Sequence, residues 1–332
     1  MGPRELLALA VNRVPFLRPR EKLLLCELET SLGIFARLSR PELERILGRP
    51  VRSRRWDPVE AMHRAEEDRI LLTSGPIHCT FIWSSDFPPL LREIYDPPPV
   101  LYYRGVLPPP GEPLVAIVGT RRPTGSGRRA ALTLAAELAR LGVGTVSGLA
   151  RGIDTEAHRG SLQGRGFTVA VLGNGIDRIF PASSAPVGRR ILEAGGCVAS
   201  EFPPGEPPQP YHFPGRNRII SGLARTVVVV QAPRGSGALI TADYALEQGR
   251  ELAVHAAGLE GPAAEGSRAL AEQGAAVVSA AADIVSAWAP GLQPGGREPA
   301  LPAGNAAAGM EAGPMLARLL ELELDGKEAY GA

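Results

Sequence analysis

Leu114-Val115-Ala116-Ile117-Val118, Thr168-Val169-Ala170-Val171-Leu172 and Thr226-Val227-Val228-Val229-Val230 are short, almost wholly apolar runs. Val143 to Val146, Val198-Ala199, Glu251 to Val254 and Ala276 to Val278 supply further runs, with helical stretches such as Gly127 to Leu141 and Asp154 to Leu162 between them. A strand buried on both faces has no solvent side toward which to alternate. Runs of this kind separated by helices therefore predict a parallel sheet covered on both faces. The fold expected is α/β, an extended Rossmann-like, doubly wound, mainly parallel sheet over residues 114–289. In such a sheet ligands bind beyond the carboxyl ends of the strands, so the loops that follow the strands are where function is sought.

The flanks have a different texture. Residues 1–75 are rich in Leu, Arg and Glu at helical spacing, and Glu21 to Leu28 reads as one helix. Ser39-Arg40-Pro41-Glu42 ahead of Leu43 and Ile46-Leu47 combines an N-cap, a first-turn proline and an apolar stripe, with Gly33 and Gly48 as stops. A small all-helical domain of the SAM or helix-hairpin-helix kind is expected there. Residues 76–113 form a proline-studded connector, with Val100-Leu101-Tyr102-Tyr103 as a short strand. From 290 the chain turns Gly-, Ala- and Pro-rich, a linker composition, before a short apolar helix from Met315 to Leu324.

A formal net charge of +1 over 332 residues does not mark a nucleic-acid binder, so any polyanion site has to be a local patch. Lys22 and Lys327 are the only lysines. Arginine suits forked contacts to phosphate and stacking on bases, but it is also what an Ala/Gly/Pro/Arg-rich composition supplies. Cys26, Cys79 and Cys197 are far apart, which argues against a disulfide framework or a zinc site and for a reducing, cytoplasmic setting. No apolar run approaches the roughly 20 residues of a membrane span, and the N-terminus lacks a signal-peptide layout.

Five strand-end loops are suited to anions. Gly119-Thr120-Arg121-Arg122 is not a dinucleotide fingerprint, because Thr120 and Arg121 occupy the tight turn; a phosphate gripped by backbone amides and Arg121 fits it, as does a solvated surface arginine. In Ser147-Gly148-Leu149-Ala150-Arg151-Gly152-Ile153-Asp154, Ser147 and Gly148 are expected to face backbone N–H groups toward an anion, Arg151 adds charge, and Asp154 reads as a helix N-cap. Phe180, after the glycine turn of Gly173 and Gly175, is either a stacking platform for a base or a loop anchor. Tyr211-His212-Phe213 followed by Arg216-Asn217-Arg218 places aromatics, cations and an amide at an expected helix start. Ser236-Gly237 opens another helix after a glycine turn. Successive loops of this kind suit a polyanion tracking along the sheet edge better than one small nucleotide. The acids Asp154, Asp177, Glu201, Asp243 and Glu247 are not paired at metal-ligand spacing, and no nucleophile elbow accompanies His158, His212 or His255. No catalytic residues, metal or cofactor are expected.

Taken together, Val118 to Arg121, Ser147 to Asp154 with Ala157-His158, Phe180-Pro181, Ser200-Glu201, Phe213 to Ile220, Ser236 to Thr241 and Glu247 to Arg250 resemble the DNA-processing protein A (DprA/Smf) family. The resemblance runs from about Leu114 to Trp288, with echoes at Asp86 to Leu91 and Pro98 to Leu101. It implies a dimeric, cytoplasmic, non-enzymatic mediator of natural transformation. Such a protein binds single-stranded DNA and helps load RecA recombinase onto DNA coated with single-strand-binding protein. It also implies DNA contacts at Arg121, Ser147, Gly148, Arg216, Asn217 and Arg218, to which the loops themselves add Arg151, Phe180, Phe213, Ser236 and Gly237. The chain departs from the family where Ala182-Ser183-Ser184-Ala185 stands in place of a basic residue and where Gln231 replaces a common glutamate. Gly266 to Ala275 resembles the region used for self-association and RecA contact, and Met315 to Gly331 the second half of a winged helix. The enzyme alternative is a phosphoribohydrolase-like protein holding a nucleoside monophosphate, whose glycine loop Arg234 to Thr241 faintly echoes.

Overall fold

The computed structural model describes residues 1–28, 31–52 and 56–288, all within one compact unit. The linker and short helix expected beyond residue 290 lie outside the described residues. Five helices come first: α1 (Pro3–Asn12), α2 (Pro19–Glu27), α3 (Leu32–Arg37), α4 (Arg40–Leu47) and α5 (Pro58–Ser74). The expected start of α4 is present, with the Ser39 N–H donating to Glu42 Oε2 at 2.9 Å and Pro41 in the first turn. Gly48 ends the helix at φ 64°, a left-handed conformation that suits glycine. Gly33, in contrast, lies inside α3 rather than stopping a helix.

Next come β1 (Ile77–Phe81), the single-turn α6 (Pro89–Arg92), β2 (Val100–Gly105) and β3 (Leu114–Val118). They are followed by α7 (Gly125–Arg140), β4 (Gly144–Ser147), α8 (Ile153–Gln163), β5 (Thr168–Val171), α9 (Ala185–Glu193) and β6 (Cys197–Ser200). The remaining elements are α10 (His212–Gly222), β7 (Thr226–Val229), α11 (Gly237–Glu247), β8 (Glu251–His255), α12 (Glu265–Glu272), β9 (Ala276–Val278) and α13 (Ala281–Trp288). One nine-stranded sheet runs in the order β1-β2-β6-β5-β4-β3-β7-β8-β9. The seven strands β3 to β9 are parallel neighbours, whereas β1 and β2 pair antiparallel at one edge. The doubly wound sheet expected from the apolar runs is therefore present. The proline-rich connector goes further than expected: it contributes two strands, including β1, whose Ile-His-Cys-Thr-Phe sequence has no apolar run to announce it.

From β3 the chain steps outward through β4, β5 and β6, then returns along α10 to place β7 on the other side of β3. Strand order reverses between β3 and β7, and this is the switch point at which an open α/β sheet opens a ligand crevice. All five residues of β3 are buried. The N-terminal helices are built into the sheet's core. Leu7 to Val11 of α1 are buried in one apolar cluster with Val100 and Tyr102 of β2 and with Leu172 and Ile176 after β5. Arg13, just past α1, binds Asp68 of α5 at 2.8 Å and the Pro204 carbonyl at 2.9 Å, so the helices also hold the loop after β6. No helix among the described residues is long and apolar enough to cross a membrane.

Candidate nucleic-acid interface

The loop after β3 bends sharply against its neighbours. A Cβ on Gly119 would lie 2.5 Å from Ile153 and 2.9 Å from the Gln231 carbonyl oxygen, so only glycine fits. Thr120 is buried, and its N–H donates to the Gln231 carbonyl at 2.8 Å. Arg121 and Arg122 are thereby left exposed on the rim. The Arg121 guanidinium carbon lies 6.0 Å from the centre of the Phe213 ring, at the outer range of a cation–π contact. α7 starts beyond this loop, capped by Thr124, and carries exposed Arg128 and Arg129 in its first two turns.

The loop after β4 differs from its sequence reading. Ser147 is fully buried and its hydroxyl donates to the Ile117 carbonyl at 2.6 Å. The Gly148 N–H does not face an incoming anion, because it donates to Asp154 Oδ2 at 3.1 Å, as does the Ala150 N–H at 3.4 Å. Asp154 is not the N-cap of α8; that position is Gly152, and Asp154 folds back from the first turn to occupy the anion nest itself. Arg151 is exposed, with its Nε 3.1 Å from the Ser183 hydroxyl. One turn along α8, His158 is fully buried. Its Nδ1 meets the Thr168 hydroxyl at 2.8 Å, and that hydroxyl donates to the Thr145 carbonyl, so Nδ1 carries the proton. Burial, with Arg216 nearby, pushes His158 down to about 3, which keeps the ring neutral.

Asp154 is moved the other way. Burial raises its carboxyl to about 6, against the pull of Arg216 and of the two backbone donors. Between its ordinary value of 3.8 and about 6 the folded chain holds a proton that the unfolded chain has released. Stability therefore falls as pH rises through that window. Asp154→Asn is expected to flatten that part of the profile. Urea midpoints at several pH values between 4 and 7 check it, and a slope matching the parent's would show that Asp154 is not the responsible group.

Phe180, after β5, is 42% exposed, with its ring centre 5.8 Å from that of half-buried Phe213. Tyr211, just before α10, is 66% exposed. Arg216-Asn217-Arg218 does not sit at the start of α10. The three residues are its fifth to seventh, and all are buried. Arg216 donates to the carbonyls of Gly148 and Val171, binding the ends of β4 and β5 together. Asn217 donates to the Gly237 carbonyl at 3.1 Å, reaching the first residue of α11. Arg218 forms a forked pair with Glu201 at 2.7 and 2.8 Å, and its Nε lies 3.1 Å from Asp96. Burial lowers Arg216 to about 10; Arg218 is buried too, but Glu201 and Asp96 hold it above the ordinary arginine value. These cations brace the crevice from beneath, where the sequence had suggested an open cluster. Ser236 caps α11, accepting from the Ala238 N–H at 3.3 Å, and Gly237 is exposed beside it.

The surface thus assembles residues from distant loops. Arg121, Arg122, Arg128, Arg129, Arg151 and Arg178 are exposed on the strand-end loops or the opening turns of α7. Among the described residues, none of the six forms an ion pair with a carboxylate. Arg122, Arg128, Arg129 and Arg178 were not singled out from sequence, though their places after strands or at a helix start were legible. Gln231 is marked in the sequence only as a departure from the family resemblance, and the inward turn of Asp154 has no local signal.

The fold and this edge define a class: an extended Rossmann-like protein whose strand-end loops carry exposed arginines without carboxylate partners, together with the exposed ring of Phe180. Residues 78–289 match the family model described as DNA recombination-mediator protein A, and the chain belongs to that family. The match begins at β1, so it takes in the edge strands of the connector. Protein Smf of Escherichia coli is 43% identical over 202 residues, 61% of this chain and 54% of that protein. DNA processing protein DprA of Bacillus subtilis is 42% identical over 205 residues, 61% of this chain and 68% of that protein. The matched region spans about half the length of the Smf proteins of Escherichia coli and Synechocystis. The crystal structure of DNA processing protein A from Streptococcus pneumoniae superposes with a TM-score of 0.68 at 32% identity, covering 86% of this chain and 98% of that one. A structure of the Helicobacter pylori protein, concerned with its single-stranded DNA binding mode, gives 0.57 at 27% identity over 66% of this chain and 98% of that one.

Proposed function

We propose that this protein binds single-stranded DNA along the rim of the β3/β7 crevice and performs no chemistry on it. In this reading it protects incoming strands during natural transformation and recombination. It helps load RecA recombinase onto strands coated with single-strand-binding protein, working in the cytoplasm as a homodimer. The observation that carries the reading is the rim itself: exposed arginines without carboxylate partners, set beside the exposed ring of Phe180. Arginines meet a phosphate backbone, and aromatic rings stack on bases of any sequence. The Helicobacter pylori relative's single-strand binding mode supports the same ligand. The buried titratable groups beneath the rim are already committed, Asp154 to the β4 loop and His158 to Thr168.

Titration of a labelled single strand and its duplex across a salt series tests the proposal. Tighter single-strand binding that weakens with salt is expected; equal affinities or a flat salt response would refute it. Arg121→Ala should weaken binding to all sequences and lower the log–log salt slope by about 0.7, one single-strand phosphate contact. Its folding stability should change by no more than about 0.5 kcal/mol, as for an exposed side chain. Unchanged affinity and slope would remove Arg121 from the interface. Incubation with nucleoside monophosphates separates the enzyme alternative, since released base would favour a phosphoribohydrolase-like activity.

A further inference from the structure

The loop that carries Arg121 is fastened at both ends to a single residue. Gln231, the second residue after β7, is fully buried. Its carbonyl accepts from the Thr120 N–H at 2.8 Å, and its side-chain Oε1 accepts from the Thr124 N–H at 2.9 Å. The Thr124 hydroxyl lies 3.3 Å from the same Oε1. Two glycines make room for this arrangement: a Cβ on Gly119 would lie 2.9 Å from the Gln231 carbonyl oxygen, and one on Gly127 2.7 Å from Oε1. Because β3 and β7 are neighbours at the point where strand order reverses, these bonds tie the loop across the crevice.

The other end of the amide shows what the position requires. Gln231 Nε2 is buried without a hydrogen-bond partner. An orphaned buried donor costs about 1–3 kcal/mol, so the residue is a poor choice for filling space. What it supplies is the acceptor Oε1, placed where a backbone N–H at the start of α7 would otherwise be unmet.

We propose that Gln231 is a positioning residue for the DNA rim, its side-chain Oε1 holding the Thr124 end of the loop so that Arg121 stands beside Phe213 and reaches the phosphate backbone. This rests on the reading of Arg121 as a phosphate contact. The test is a single-strand titration across salt for the parent chain, Gln231→Leu, Arg121→Ala and the double variant. If Gln231 acts through Arg121, Gln231→Leu lowers the salt slope by about 0.7, as Arg121→Ala does, and the double variant matches Arg121→Ala. An unchanged slope in Gln231→Leu, or losses that add in the double variant, would overturn the proposal. If Arg121→Ala itself changes nothing, both the contact and its positioning fail together. Gln231→Glu keeps an acceptor in place and is expected to retain the parent slope. Should Gln231→Leu not fold, Gln231→Glu decides: a slope reduced to that of Arg121→Ala means the acceptor does not hold the loop.

Discussion

Arg218→Ala is expected to cost about 3–5 kcal/mol of folding stability, because it removes a buried cation and leaves the part-buried carboxylates of Glu201 and Asp96 without it. The guanidinium is 2% exposed and forms a forked pair with Glu201, with Asp96 on its other side. Without it, two carboxylates face each other at reduced solvation, and the tie between β6, α10 and the segment before β2 is lost. Glu201 is also where α1 is anchored, since Asn12 donates to its carbonyl at 2.9 Å. Removing both partners should be milder: Arg218→Met with Glu201→Leu leaves fewer uncompensated charges and should recover part of the loss. Urea unfolding of the three proteins measures this. If Arg218→Ala unfolds within about 1 kcal/mol of the parent, the bracing role assigned to Arg218 is wrong. The contrast with Arg121→Ala separates the two kinds of arginine: one variant loses stability, the other loses binding.

Gly152→Ala should be nearly as damaging and should strike both properties at once. Gly152 has φ 86° and ψ −127°, a conformation costly for any L side chain. A Cβ there would also lie 2.4 Å from the Thr120 carbonyl oxygen and 2.9 Å from Arg121 Cα, both backbone atoms that cannot rotate away. Strain and overpacking together put the loss at about 2–5 kcal/mol. The β3 loop would have to move, taking Arg121 with it, so single-strand affinity should fall further than in Arg121→Ala. Denaturation midpoints and a DNA titration on the same preparation check this. A midpoint equal to the parent's would mean that the β3 and β4 loops are less tightly apposed than the structure indicates.

Much of the scaffold was legible locally. The apolar runs gave the parallel strands because a doubly covered strand must be apolar throughout, and Ser39 to Glu42 gave the start of α4 because capping is settled within one turn. Strand β1 was not legible. Its residues are held by antiparallel pairing with β2, from Ile77 opposite Arg104 to Phe81 opposite Val100, and by no pattern of their own. The rim was legible in outline, since loops after strands face the crevice of any such sheet. Arg121, Arg151 and Phe180 stand on those loops and are exposed.

By itself, then, the sequence determined the doubly wound sheet, the strand-end loops and the aromatic beside them, because the apolar runs and turn residues that announce them are patterns a few residues long. The tertiary structure alone decided which cations face solvent. Arg216 turns inward to Gly148 and Val171, and Arg218 to Glu201, partners 17 to 68 positions away. Asp154 fills the anion nest beneath Gly148, and Gln231 reaches back 107 positions to Thr124. A charged side chain is buried only where a distant segment supplies its counter-charge or carbonyls, and no local pattern carries that information.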